Sequence, residues 1–212
     1  MSDPGNFRLQ VALGRRGRSL FAAAICAALG LAAVACDVTP GATIPPEQTA
    51  SQHVGTAGFL LSGDHFEAGE PIPPRFTCDG ENVSPRLSWS GAPDGTIVFA
   101  LIMDDPDAPS GVFTHWVLFN LPANVYSLPE GVPNVERLDS GAVQGRNDFR
   151  SIGYSGPCPP PGRPHHYRFV LYALNAKLEL QPGASKQQVH DAMQGHILGQ
   201  AQLLGTYQKG MR

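Results

Sequence analysis

The sequence has little charge, and this shortage excludes several classes of protein. Asp, Glu, Lys and Arg make up 16% of the 212 residues, which is too little for a coiled coil or a charged helical bundle. No block of Lys or Arg occurs after the first eighteen residues, and the formal net charge is −3, so nucleic acid is excluded as an expected partner. By contrast, 24 Gly, 20 Pro and an apolar fraction of 42% predict a folded, loop-rich β domain.

Long hydrophobic runs are also scarce, and the longest lies near the N-terminus, from Leu20 to Ala35. At about 1.5 Å per residue it would cross a hydrocarbon core of roughly 30 Å only if untilted. The run is preceded by Arg8, Arg15, Arg16 and Arg18. Basic residues before a short apolar run are typical of an export signal, although plain secretion and an uncleaved anchor both remain open as outcomes.

The end of this run resembles the lipobox of bacterial lipoproteins, in the residues Ala33-Val34-Ala35-Cys36. The resemblance implies cleavage before Cys36 and a diacylglycerol on its sulfur, which would anchor the protein to a membrane of the cell envelope. Residues 37–57 are rich in Thr, Pro, Gly, Gln and Ser, the composition of a flexible tether. We therefore predict a signal over residues 1–35, a tether over 36–57 and a folded domain over 58–212.

Cysteine is rare, with four in the whole chain. Cys26 falls in the signal and Cys36 at the lipobox, which leaves Cys78 and Cys158. In an oxidising compartment two remaining cysteines suggest a disulfide. Two buried free thiols are the alternative.

Apolar runs rich in β-branched and aromatic residues predict the strands. Three strong runs and two shorter ones are bounded by Pro, Gly, Asp or Asn: Thr96–Asp104, Thr114–Leu121, Tyr167–Leu174, Phe59–Ser62 and Leu87–Ser90. Several short strands with irregular spacing suggest a β-sandwich.

One helix is predicted near the C-terminus. Ser185 and Gln188 have the spacing of a capping box, and apolar residues then recur every four positions, at Val189, Met193 and Ile197. We expect the helix to end at Gly195 or Gly199 and a closing strand to follow over Ala201–Lys209.

Three segments carry most of the side chains capable of chemistry. The acidic turn Asp104–Ser110 follows a core strand and is stiffened by two prolines. His115-Trp116 lies inside an otherwise apolar strand, and the Pro-rich segment Gly156–Tyr167 leads into the last strong strand. Alternation along that strand places His165 and Tyr167 on one face and His166 on the other. Each segment also has a purely structural alternative. The acidic turn could be an ordinary solvated turn, His115 a core or surface histidine, and the Pro-rich segment a rigid surface connection.

Taken together, these segments resemble the bacterial branch of the phosphatidylethanolamine-binding proteins, also called Raf kinase inhibitor proteins. The matching stretches are Pro74–Pro85, Asp105–Pro109, Thr114–Trp116, Gly145–Phe149 and Gly156–Tyr167. The resemblance covers residues 58–209 and implies a β-sandwich of two antiparallel sheets in a Greek-key-like order, with one or two short C-terminal helices. One departure is Arg150, which stands where the family pattern usually has Gly.

The resemblance also implies a small pocket for phosphorylated or otherwise anionic small molecules, such as phospholipid headgroups. Its lining would be Asp105, His115, His165 and Tyr167, with Pro106 and Asp107 at the rim. Imidazole and phenol groups can donate to phosphate oxygens, while a carboxylate accepts from an ammonium group.

Two other functions stay open. The rigid Pro159–Pro164 loop would suit a protein-interaction or inhibitor module that acts on an envelope hydrolase or signalling protein. Catalysis or metal binding by Asp105, His115 and His165 is less expected, because no recognised catalytic motif occurs. No cofactor and no metal are expected.

Overall fold

A computed structural model describes residues 58–210 as two antiparallel sheets and one α-helix. The elements are β1 (Leu60–Gly63), β2 (Leu87–Ser90), β3 (Val98–Asp105), β4 (Phe113–Pro122), β5 (Ser127–Leu128), β6 (Val143–Gln144), β7 (His165–Leu174), α1 (Lys186–Met193) and β8 (Ile197–Tyr207). A single 3-10 turn spans Pro74–Phe76. The smaller sheet has the order β1-β2-β5 and the larger one β6-β4-β3-β7-β8. This architecture confirms the predicted fold class.

The larger sheet forms the middle layer of the fold. Alternate residues of β3, such as Phe99 and Leu101, pack toward the smaller sheet, whereas Val98 and Ile102 pack toward α1. A strand covered on both faces needs apolar residues at every position, and β3 is buried along its whole length. This explains why the run showed no polar alternation in the sequence.

The predicted strands all exist, with small differences at their ends. Leu87–Ser90 is found with its predicted bounds, and the three strong runs shift or extend by one or two residues, to Val98–Asp105, Phe113–Pro122 and His165–Leu174. The burial pattern of β7 leaves His166 exposed between buried His165 and Tyr167, which confirms the predicted alternation.

The C-terminal helix starts as predicted but is shorter. Ser185 is the N-cap, with its hydroxyl accepting from the Gln188 backbone in a capping box. The expectation that Ile197 belongs to the helix was wrong, because α1 ends at Met193 and Ile197 begins β8. Gly195 has a φ of +79°, a left-handed conformation that glycine adopts easily and that stops a helix. The closing strand therefore begins four residues earlier than predicted and also contains Gly199.

Strand β4 contains a β-bulge at His115. Met103 of β3 pairs with Trp116 and the next residue, Asp104, pairs with Thr114, so His115 has no opposite residue on β3. Strict alternation from Val117, which packs toward α1, would point His115 toward the helix. Because the extra residue re-aims the side chain, the His115 ring instead contacts Tyr167 on the opposite face, with ring centroids 5.2 Å apart.

The Pro-rich segment before β7 is fastened to the segment near Cys78. The sulfurs of Cys78 and Cys158 are bonded at 2.12 Å, and the Cys78 amide donates to the Pro157 carbonyl at 3.0 Å. The Gly156 amide donates to the Asn82 side chain at 2.8 Å. These contacts fix a loop that has no regular secondary structure.

The predicted signal, the lipidated Cys36 and the tether lie outside the described residues. Within residues 58–210 there is no helix long and apolar enough to span a membrane.

Candidate functional site

Asp105 and His165 form a buried pair between the neighbouring strands β3 and β7. The two strands pair with Asp104 opposite Arg168, so Asp105 and His165 share the face that points toward the smaller sheet. Nδ1 of His165 lies 2.7 Å from Oδ2 of Asp105, and both side chains are about 5% exposed. A carboxylate only accepts, so Nδ1 donates and the Nε2 atom of His165 is left for another partner.

His115 is held beside this pair by the backbone of Ser155, which directly precedes the Pro-rich segment. Its Nδ1 lies 2.7 Å from the Ser155 carbonyl oxygen, which can only accept, so Nδ1 carries the hydrogen. Burial lowers the pKa of His115, although the Ser155 carbonyl and the charge of Asp105 oppose this shift. The ring is therefore neutral at pH 7, with the lone pair of Nε2 left over.

The hydroxyl of Tyr167 is the unsatisfied group of this cluster. Tyr167 is 0% exposed, and its hydroxyl has no hydrogen-bond partner among residues 58–210. Burial, followed by the charge of Asp105 and a hydrogen-bonding interaction with its carboxylate, raises the pKa of Tyr167. The phenol therefore stays protonated, and Asp105 is the protein group that would compete with a ligand for its hydrogen. Buried polar groups are rarely left unpaired in native proteins, and this hydroxyl lies beside the His115 ring.

The predicted rim residues are placed differently from one another. Pro106 is exposed. Asp107 turns away from the cluster, because its Oδ2 accepts from both the backbone and Nδ1 of His166, at 2.9 and 2.6 Å. These hydrogen bonds from His166 lower the pKa of Asp107. The Asp107 amide, in turn, donates to Oδ1 of Asp105 at 2.8 Å, so Asp107 positions Asp105 through its backbone.

Phe149 covers one side of His115. Its ring centroid lies 5.5 Å from that of His115 and 4.7 Å from that of Phe113, and Phe149 is 46% exposed. The next residue, Arg150, is also exposed and has a φ of +67°. This left-handed conformation is one that glycine adopts without strain, which accounts physically for the Gly that the family pattern has here.

The acidic turn contains a second buried carboxylate, which belongs to a different environment. Asp104 points toward α1 and is 2% exposed. Its oxygens accept from two nitrogens of Arg168 at 3.1 and 3.2 Å and from Nζ of Lys186 at 2.6 Å. Asp104 is thus fully paired by side chains of β7 and α1, and no local sequence pattern indicates these partners.

The described residues do not form a metal centre. Within residues 58–210, no group of three or more His, Cys, Asp or Glu side chains is placed to hold a metal ion. Asp105 and His165 are paired with each other, and His115 is turned by Ser155.

Comparison with known proteins gives a consistent result. The family model described as phosphatidylethanolamine-binding protein matches residues 62–208. A UPF0098 protein of Methanothermobacter thermautotrophicus is 58% identical over 139 residues, covering 66% of this chain and 91% of the relative. The UPF0098 protein YbcL of Escherichia coli is 38% identical over 162 residues, covering 72% of this chain and 88% of the relative.

Two solved structures have the same fold. A phosphatidylethanolamine-binding protein homolog from Chlamydia trachomatis has a TM-score of 0.67 and 39% identity, and the match covers 73% of this chain and 99% of that one. Escherichia coli YbcL, described as a member of the mammalian family, has a TM-score of 0.67 and 36% identity, with 71% and 98% covered.

Proposed function

Because this chain belongs to the phosphatidylethanolamine-binding protein family, we propose that it binds anionic or phosphorylated small molecules, such as phospholipid headgroups, at the cluster of Asp105, His115, His165 and Tyr167.

The unpaired hydroxyl of Tyr167 is the observation that carries this proposal. A buried donor without an acceptor costs about 1–3 kcal/mol, and a phosphate oxygen would supply the acceptor. The hydroxyl stays protonated because burial raises its pKa, so it donates to an anion at any physiological pH.

The two imidazoles add further atoms for a ligand. His115 is neutral in the free protein, so its Nε2 donates to an anion only if binding is accompanied by uptake of a proton. His115 and His165 each use Nδ1 for a protein partner, so each keeps Nε2 for a ligand. A protonated Nε2 donates to a phosphate oxygen in a charge-assisted hydrogen bond, which is stronger than a neutral one. Asp105 offsets one positive charge and has lone pairs left for the ammonium of a zwitterion such as phosphoethanolamine.

Calorimetric titration with phosphoethanolamine, inorganic phosphate and ethanolamine tests this proposal. The first two should bind the wild-type protein and should fail to bind His165→Ala. His166→Ala is the matched control, because His166 is half exposed on the opposite face of β7, and it should keep the affinity within about twofold. Equal heats in all three proteins, or binding of ethanolamine alone, would contradict an anion site.

A second candidate function rests on the exposed part of the Pro-rich segment. Residues 160–164 are all exposed, and the nearby disulfide fixes their position. A rigid exposed loop suits recognition by a protein partner at low entropic cost. In this case substitution of the loop would abolish binding of the envelope partner, and Asp105→Ala would leave it intact.

We also propose that the domain is exported and anchored through a lipid on Cys36, with plain secretion as the alternative. The support is the N-terminal sequence pattern alone. Cys36→Ser should move the protein from the membrane fraction to the soluble fraction if the lipid is its anchor.

A further inference from the structure

Two neighbouring grooves lie at the end of β4 that is remote from the cluster. The first, here the polar groove, has a volume of about 330 Å³ and is lined by Asn120, Arg137, Lys177, Glu179 and Gln181, among others. The second, the apolar groove, has a volume of about 250 Å³ and is lined chiefly by Leu121, Val125, Leu128, Val132, Val135 and Leu138, and it also includes one acidic residue, Asp139. Arg137 and Ser140 line both, so the two grooves meet at the turn that contains these residues.

These grooves are separate from the proposed anion site. His115 and Leu121 are both in β4, and six residues of extended strand span roughly 20 Å. Neither groove is lined by a residue of the cluster. A ligand bound here would therefore leave the cluster free.

The polar groove carries two cations without a protein counter-ion. Arg137 and Lys177 are exposed, and neither lies within 4.0 Å of a carboxylate in residues 58–210. Glu179 lines the same groove, and it is likewise in no such ion pair. The guanidinium and the ammonium are thus both able to bind an external carboxylate or phosphate.

The apolar groove supplies what a hydrocarbon chain needs. Its lining includes Val132 and Leu128, which are buried, and Val135, which is 47% exposed. A chain that covers such side chains removes apolar surface from water, which favours binding. Arg137 lines both grooves and suits the junction, because an arginine stem can pack along apolar surface while its guanidinium stays with polar groups.

We propose that the two grooves form one site for a single-chain amphiphile with an anionic headgroup. The carboxylate or phosphate would lie between Arg137 and Lys177, and the alkyl chain would follow the apolar groove past Leu138 and Val135. Each groove alone is at or below the small end of ligand sites, about 300–1,000 Å³, whereas both together fall inside that range. The headgroup is defined here by its charge, which fatty acids and lysophospholipids share.

Calorimetry with three ten-carbon probes, each below its micelle concentration, tests the site. Decanoate and decyl phosphate should bind, and the cationic decyltrimethylammonium should not. Arg137→Gln and Lys177→Gln should each weaken decanoate binding by about three- to tenfold, since each removes one charged partner at a partly exposed position. Val135→Asp, at an exposed position, should weaken it further by placing a negative charge beside the chain.

The controls show which site is occupied. Arg150→Gln removes another exposed arginine, next in sequence to Phe149 of the cluster's edge, and His165→Ala disrupts the cluster itself; both should leave the affinity for decanoate unchanged. Tighter binding of decanoate than of decyl phosphate would indicate a fatty acid, and the reverse a lysophospholipid. Equal binding of the cationic probe, no binding of either anion, or loss of binding in His165→Ala but not in Arg137→Gln would overturn the proposal.

Discussion

Tyr167→Phe removes a buried hydroxyl that makes no hydrogen bond of standard geometry within residues 58–210, and this makes it the sharpest test of the cluster. The ring is fully buried and phenylalanine keeps its packing. A buried unpaired donor costs about 1–3 kcal/mol, so its removal should raise the free energy of unfolding by up to that amount, or leave it unchanged. Removing the hydroxyl of a buried tyrosine usually destabilises a protein, so the sign of the change in the free energy of unfolding distinguishes an unpaired hydroxyl from a paired one.

The same substitution should weaken binding of an anion. A hydrogen bond to a charged group contributes about 1.5–3 kcal/mol, which corresponds to a loss of roughly 10- to 100-fold in affinity for phosphoethanolamine. Urea denaturation without ligand and calorimetric titration with phosphoethanolamine measure the two quantities separately.

Tyr154→Phe is the matched control. Tyr154 is also buried, but its hydroxyl donates to the Phe76 carbonyl at 2.6 Å. Its removal leaves that carbonyl unsatisfied and should lower the free energy of unfolding by about 1–3 kcal/mol, with the affinity for phosphoethanolamine unchanged. If Tyr167→Phe instead destabilises the fold like Tyr154→Phe and leaves the affinity intact, the Tyr167 hydroxyl is structural and the reasoning fails.

Two further predictions concern pH and the disulfide. Burial lowers the pKa of His115 in the folded protein. Below about pH 6.5 the unfolded chain therefore binds a proton at His115 that the folded chain does not. The free energy of unfolding should consequently fall from pH 7 to pH 5. His115→Asn, which keeps a donor for the Ser155 carbonyl, should flatten this part of the profile in urea denaturation; an unchanged slope would contradict a neutral buried ring. Cys78 and Cys158 are 80 positions apart, so the chain-entropy model predicts that the double Ser variant loses about 4.5 kcal/mol of its free energy of unfolding. Reducing agent should destabilise the wild type but not this variant, and equal sensitivity of both would refute the cross-link.

Local signals in the sequence predicted the elements that depend on local chemistry. The start of the helix follows from the capping box. The Ser185 hydroxyl accepts from the Gln188 backbone amide, and the Gln188 side chain accepts from the Ser185 backbone amide. The long strands follow from their continuous apolar runs. The two-residue strands β5 and β6 were missed, because two residues are too few to show any period.

Non-local contacts account for the errors. The apolar spacing continued from Met193 to Ile197, but Ile197 pairs with Leu174 at the edge of the larger sheet, so its role depends on a partner strand more than twenty residues away. The orientation of the His115 side chain likewise depends on the bulge in the pairing of β4 with β3. No residue type in β4 predicts this bulge.

In the candidate site too, the local features could be predicted from the sequence and the non-local contacts could not. The shared face of His165 and Tyr167 was predicted from alternation alone. The hydrogen bond between His165 and Asp105 joins residues 60 positions apart, and only the family resemblance placed them together. The roles of Ser155 and Phe149 were not predicted, because one acts through its backbone carbonyl and the other through a ring contact.

The two adjacent aspartates at the end of β3 have a consequence for how the central strands find their alignment. Asp104 is neutralised by Arg168 and Lys186 on one face, and Asp105 is bound by His165 on the other. A slip of one residue between β3 and β7 would exchange the faces of both carboxylates. Two buried charges would then lose their partners at once, at a cost of several kcal/mol each. The acidic pair therefore disfavours any pairing of these strands that is shifted by one residue, independently of any ligand.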